Sequence, residues 1–139
     1  MGDRDFEATA LDNLASVALL RGEVERGESL GRDALALYHD LGDPPRCAVG
    51  LEGLAKSAGM AADGVRAARL LGAASALRES LGTPLTSHER REVEEAIAAA
   101  QATLSEEQWA AAFAVGEALS LEEAVTEALG HETPPTDPC

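Results

Sequence analysis

The chain has 139 residues, 45% of them hydrophobic, and carries 11 basic against 25 acidic side chains for a net charge of −14. There is enough apolar material for one domain with its own core. The negative field excludes direct binding to a phosphate backbone and disfavours anionic membrane surfaces.

Alanine (28) and leucine (19) dominate, and the only aromatics are Phe6, Tyr38, Trp109 and Phe113. Ala and Leu are the strongest helix formers and β-branched residues are scarce, so an all-α fold of thin, closely packed helices is expected. The two cysteines, Cys47 and Cys139, make no disulfide framework. No run approaches the roughly 18 apolar residues of a transmembrane helix. The opening MGDRDFEATA has no apolar signal core, so the expected location is the cytoplasm.

In chain order, residues 5–21 read as a first helix with Leu11, Leu14, Ala15 and Ala18 on one stripe, ended by Gly22. Residues 24–41 read as a second, with Leu30, Ala34, Leu37 and Leu41 on one side. Gly27 and Gly31 inside it each cost about 1 kcal/mol relative to Ala, and close approach of another helix would account for them. Leu41-Gly42-Asp43-Pro44-Pro45 is a break. A third helix runs from about Arg46 to Gly59 on Leu51, Leu54, Ala55 and Ala58. The fourth, from about Asp63 to Leu81, is the stretch around which the rest is organised. Its stripe is Leu70, Leu71, Ala74, Leu77 and Leu81, with Arg66, Arg69, Arg78 and Glu79 off it as on an amphipathic helix.

After a turn at Gly82-Thr83-Pro84-Leu85, three capping boxes open three more helices. Thr86 with Glu89 starts the fifth, which runs to about Leu104 with Val93, Ala96, Ile97 and Ala100 inward. Ser105 with Gln108 starts the sixth, which carries Trp109, Phe113 and Gly116. Ser120 with Glu123 starts a short seventh, closed by Gly130. The tail over 130–139 has three prolines and nothing to bury, and is expected to be disordered.

The chain repeats itself. Between Ala8 and Gly42, twelve residues are identical to those 40 positions further on, among them Leu11/Leu51, Leu14/Leu54, Ala34/Ala74, Leu41/Leu81 and Gly42/Gly82. Two helices per unit describe an α-solenoid of antiparallel helix pairs, at about 5–42 and 45–82. Helices over about 86–129 break the period and would cap the array, making a single helical domain over 1–129. Helix one starts close to Met1 with no polar cap near Phe6, as in a chain cut from a longer array. That leaves an apolar end free to form a homodimer.

Leu14-Ala15, Ala18, Gly22 and Ala34 stand at the spacing of a tetratricopeptide repeat, and Leu54-Ala55, Ala58, Ala67, Leu71 and Ala74 stand there again. The pattern resembles that family, with departures. Gly27 and Gly31 replace Ala and a large residue, Ala62 replaces a turn glycine, and the period exceeds the usual length of about 34. Leu70-Leu71-Gly72-Ala73-Ala74, Leu77-Arg78-Glu79, Gly82-Thr83-Pro84-Leu85, Gly116, Leu119-Ser120 and Ala124 give residues 46–129 a narrower likeness. This region resembles the C-terminal end of large bacterial LuxR-type and related transcriptional regulators that have a predicted ATPase domain. Phe113 stands where such sequences often have Trp. The resemblance implies a module without a catalytic residue, the ATPase lying elsewhere in the polypeptide.

Reactive chemistry is not readable. There is no phosphate loop, and Lys56 is the only lysine. No Cys-x-x-Cys or His-x-x-x-His spacing offers a metal cage, and His39-Asp40 and His88-Glu89 point to different helix faces. Glu106-Glu107 and Glu122-Glu123 sit in first turns, where carboxylates favour the helix dipole. Ser29, Ser57 and Ser75 have no histidine at readable spacing, so no activated nucleophile is indicated. Neither an enzyme, a cofactor nor a metal is expected.

In tetratricopeptide arrays the first helix of each pair lines a concave face. The matching positions here are Asp12, Asn13 and Ser16, then Glu52 and Lys56, polar residues beside the buried stripe and so expected to be exposed. The expected function is protein–protein or intramolecular contact within a regulator. The alternative is a free-standing adaptor that holds a peptide in this groove. Trp109 and Phe113 are expected in the core.

Overall fold

In a computed structural model, the structure describes residues 2–130. The tail expected over 130–139 lies, apart from Gly130, outside the described residues, as does Cys139. Seven helices and no strand occur among the described residues: α1 (Gly2–Leu20), α2 (Val24–Asp40), α3 (Pro44–Met60), α4 (Gly64–Leu81), α5 (Ser87–Gln101), α6 (Glu106–Glu117) and α7 (Leu121–Ala128). The all-α expectation holds. No helix is long and apolar enough to cross a membrane.

One turn, used four times, sets the spacing of the first four helices. Gly22, Gly42, Ala62 and Gly82 all have left-handed backbone, with φ of 78°, 68°, 61° and 69°. After each, an amide reaches back over the helix end: Glu23 to Ala18 O, Asp43 to Tyr38 O, Asp63 to Ala58 O and Thr83 to Arg78 O, at 2.8–3.1 Å. This is the Schellman closure, which satisfies carbonyls that a helix end leaves unpaired. It recurs every 20 residues, half the repeat visible in the sequence. Glycine adopts this conformation without strain; Ala62 carries a Cβ there and is strained. Asp43 and Asp63 then cap the following helices, each accepting the amide three residues on at 3.2 Å. Pro44 sits in the first turn of α3, where its missing N–H is no loss, so α3 starts earlier than Arg46.

The hairpin α1–α2 packs beside the hairpin α3–α4, with α2 against α3. Gly27 and Gly31 have the expected reason. A methyl on Gly27 would meet Leu19 Cδ2 at 2.5 Å, and one on Gly31 would meet Leu54 Cδ2 at 3.0 Å. Three capping boxes form as expected, with both reciprocal bonds at Thr86/Glu89, Ser105/Gln108 and Ser120/Glu123.

α4 is the centre, meeting α3, α5, α6 and α7. It differs from the amphipathic expectation. Gly64, Ala67, Ala68, Leu70, Leu71, Gly72, Ala73, Ala74 and Arg78 are buried, leaving little of it facing water. A helix walled on several sides has no wide solvent face, so its arginines find carboxylates instead. The crossing with α6 is made by two glycines. A methyl built on Gly72 would lie 2.1 Å from Phe113 O, and one on Gly116 2.0 Å from Arg69 O. The backbones touch there.

Because α6 is pressed onto α4, it does not lie along α5, which it barely meets. α7 lies across α2, α3 and α4, burying Ala124, Val125 and Ala128 in the core, with polar contacts around them. Glu127 takes two bonds from Arg69 at 2.7 and 2.6 Å, Arg66 donates to Ala128 O at 3.1 Å and to Glu28 at 2.9 Å, and Glu122 meets His39 at 3.0 Å.

Candidate functional site

Helices α1, α3 and α5 converge on one side of the molecule. Asp12 and Ser16 of α1, Val49, Glu52, Gly53 and Lys56 of α3, and Glu89, Glu92 and Val93 of α5 line a recess of about 70 Å³. Four of the five expected groove residues therefore meet. Asn13 does not line it; it is exposed further round α1.

Glu52 differs from its expected exposure, with only 11% of its side chain reached by solvent. It takes two bonds from Arg78, at 2.6 Å from Nε and 2.9 Å from Nη2. Arg78 Nη1 donates to the carbonyls of Thr83 and Pro84 at 3.0 and 3.5 Å, and Nη2 lies 3.4 Å from Glu89. The guanidinium thus ties α3, the 82–85 turn and the start of α5 together with all its donors engaged. Burial pushes the Glu52 carboxyl above its usual range, against the hydrogen bonds and charge of Arg78 that pull it down. Asp12 is raised too, by burial, with the Arg46 charge opposing. Glu89 is held low, first by the Thr86 amide it accepts in the capping box.

On the other side of this ion pair lies a larger space. The wedge between α5 and α6, floored by α4, is a cleft of about 450 Å³. Leu71, Leu85, Val93, Ile97 and Phe113 supply its apolar walls, and Ser75, Arg78 and Glu79 its polar edge. The Thr83 hydroxyl is buried there without a partner. The volume falls within the range of about 300–1,000 Å³ and the lining is mostly apolar, as in small-ligand pockets generally. Cleft and recess share Glu52 and Val93, so they form one surface. Phe113, expected in the core, walls the cleft, while Trp109, 5.4 Å from it between ring centroids, packs against Ala58, Ala67 and Ala100.

Neither Ser57 nor Cys47 lines the cleft or the recess. Ser57 is buried and donates to Gly53 O of its own helix. Burial pushes the Cys47 thiol up to about 11, so it stays protonated and unreactive at neutral pH. Among the described residues no group of three or more His, Cys, Asp or Glu side chains is placed to hold a metal ion. Sequence reasoning missed Arg78 as the organiser, because its partner is 26 positions away on another helix. It missed the cleft because Val93 and Ile97 read as ordinary inward positions. No family model, curated protein or solved structure matches the chain.

Proposed function

We propose that this chain is a non-catalytic, tetratricopeptide-like interaction module that serves as the C-terminal part of a bacterial LuxR-type or ATPase-coupled transcriptional regulator. The recurrence of one turn every 20 residues supports the repeat reading. So does the gathering of α1, α3 and α5 around one recess. The observation that carries the function is the joined surface: an acidic recess beside an apolar cleft, with Arg78 already saturated. It suits a protein segment with one large apolar side chain flanked by Lys or Arg. The partner is another domain of the same regulator or a separate protein.

A photo-crosslinking residue placed at Ser75 or Ser16 tests this in the source cell. Crosslinks to protein are expected. A folded chain that gives none from either position would overturn the reading. An immunoblot of cell extract separates the regulator from the second reading, a free-standing adaptor, which the recess between α1, α3 and α5 also favours. A band several times the 14.4 kDa of this chain supports the regulator, and a band near it supports the adaptor.

A further inference from the structure

α1 turns an apolar face to solvent. Phe6 is 78% exposed, Leu14 47% and Val17 45%. The 40-residue step gives this face a meaning. In α3, Arg46, Gly50 and Leu54 are the residues that meet α2. The Arg46 guanidinium lies 5.5 Å over the Tyr38 ring, a methyl on Gly50 would come 3.1 Å from Leu35 Cδ1, and Leu54 Cδ2 fills the space left by Gly31. Forty positions earlier stand Phe6, Ala10 and Leu14, one face of α1 at helical spacing. Leu54 and Ser57 are 0% and 1% exposed, while their counterparts Leu14 and Val17 lie open. α1 therefore carries the docking face of α3, one step earlier, and no described helix covers it.

We propose that this face receives the second helix of a further hairpin of the same kind, stacked in series ahead of α1. That helix would place a small residue against Leu14, a leucine against Ala10 and an aromatic against Phe6, the pattern that Gly31, Leu35 and Tyr38 present to α3. Ala10 in the place of Gly50 needs only a small shift, because its methyl meets the flexible end of a leucine. Phe6 in the place of Arg46 exchanges a cation–π contact for an aromatic pair. A second copy fits less well. Its own α2 is already sandwiched between α1 and α3, and a charge of −14 on each chain opposes self-association.

The test lengthens the full chain by one step, with a duplicate of residues 4–43 placed ahead of Arg4. The readouts are amide hydrogen exchange of the original α1 and denaturant unfolding. The expected result is one cooperative transition and a rise of about tenfold or more in the protection of original α1 amides. Leu14→Lys in the original hairpin should abolish the rise while changing the unextended chain little. An added hairpin that melts separately, leaves α1 exchange unchanged or prevents folding would overturn the proposal. So would a dimer of the unextended chain, by sedimentation, that Leu14→Lys dissolves, since that gives the face to a second copy.

Discussion

The α4–α6 crossing predicts opposite outcomes for one substitution at different sites. Gly→Ala inside a helix normally stabilises by up to about 1 kcal/mol, because alanine loses less backbone entropy on folding. Gly53, mid-helix in α3, has no heavy atom within 4 Å of an added methyl, so Gly53→Ala should show that gain. Gly72→Ala places the methyl 2.1 Å from Phe113 O, where ordinary contact starts at 3.4 Å, so it needs about 1.3 Å more room. The obstruction is helix backbone, which cannot rotate aside. Backing α6 off α4 by that much forfeits a large part of its dispersion contacts. Overpacking of this kind costs about 1–3 kcal/mol and more when backbone must move. Set against the propensity gain, Gly72→Ala and Gly116→Ala should each lose about 2 kcal/mol. At roughly 4 °C per kcal/mol for a domain of this size, that is a fall of about 8 °C in Tm, against a rise of about 4 °C for Gly53→Ala. The double variant should lose less than the sum, since one displacement relieves both clashes. Thermal and urea unfolding by circular dichroism measure all four. Stabilisation by Gly72→Ala or Gly116→Ala comparable to that of Gly53→Ala would refute the close crossing.

Other outcomes follow from the same structure. Arg78→Met strands the Glu52 carboxylate in a buried site and should cost about 3 kcal/mol, while adding Glu52→Leu should recover much of the loss in urea unfolding. Ala62→Gly should stabilise by about 0.5–1 kcal/mol by relieving left-handed strain, and Gly22→Ala should do the reverse. Ser120→Ala removes one half of a capping box on an eight-residue helix and should cost about 1 kcal/mol, seen as faster amide exchange over Leu121–Ala128. Stability should peak at mildly acidic pH. Asp12 and Glu52 are raised by burial, so the folded state takes their protons first and gains stability as pH falls towards their ordinary values of 3.8 and 4.5. Glu127, held low by the hydrogen bonds of Arg69, and Glu89 contribute stability that is present above 4.5 and lost as pH falls through their depressed folded values. Urea midpoints across pH should rise and then fall, with Asp12→Asn flattening the rise; a midpoint that only declines from neutral pH would contradict this.

The number of helices and their order could be read from the chain, and most of their ends to within a residue or two, the start of α1 and the end of α5 lying three residues earlier than expected. Local chemistry determines them: the Leu/Ala stripes, the glycines at 22, 42 and 82, and three reciprocal caps act within a few residues of themselves. The repeat was legible for the same reason, though its 20-residue subdivision was hidden by Ala62, whose backbone conformation its identity does not announce. Register along α1 and α3 put Asp12, Ser16, Glu52 and Lys56 on one side, where they line one recess, but it did not separate Asn13, which stands outside it. Nor did it show that Glu52, on the same face as Lys56, is claimed by an arginine from another helix.

What the sequence by itself determined is a set of helices, their phase and their order along the chain, because periodicity and capping are properties of neighbouring residues. Only the tertiary structure decided that α6 leaves α5 and presses its backbone on α4. That choice rests on two glycines 44 positions apart, Gly72 and Gly116, meeting where no methyl fits. The apolar cleft and the opening between α5 and α6 lie beside that contact between residues distant in the chain, and Arg78 is engaged by partners on two other helices, α3 and α5.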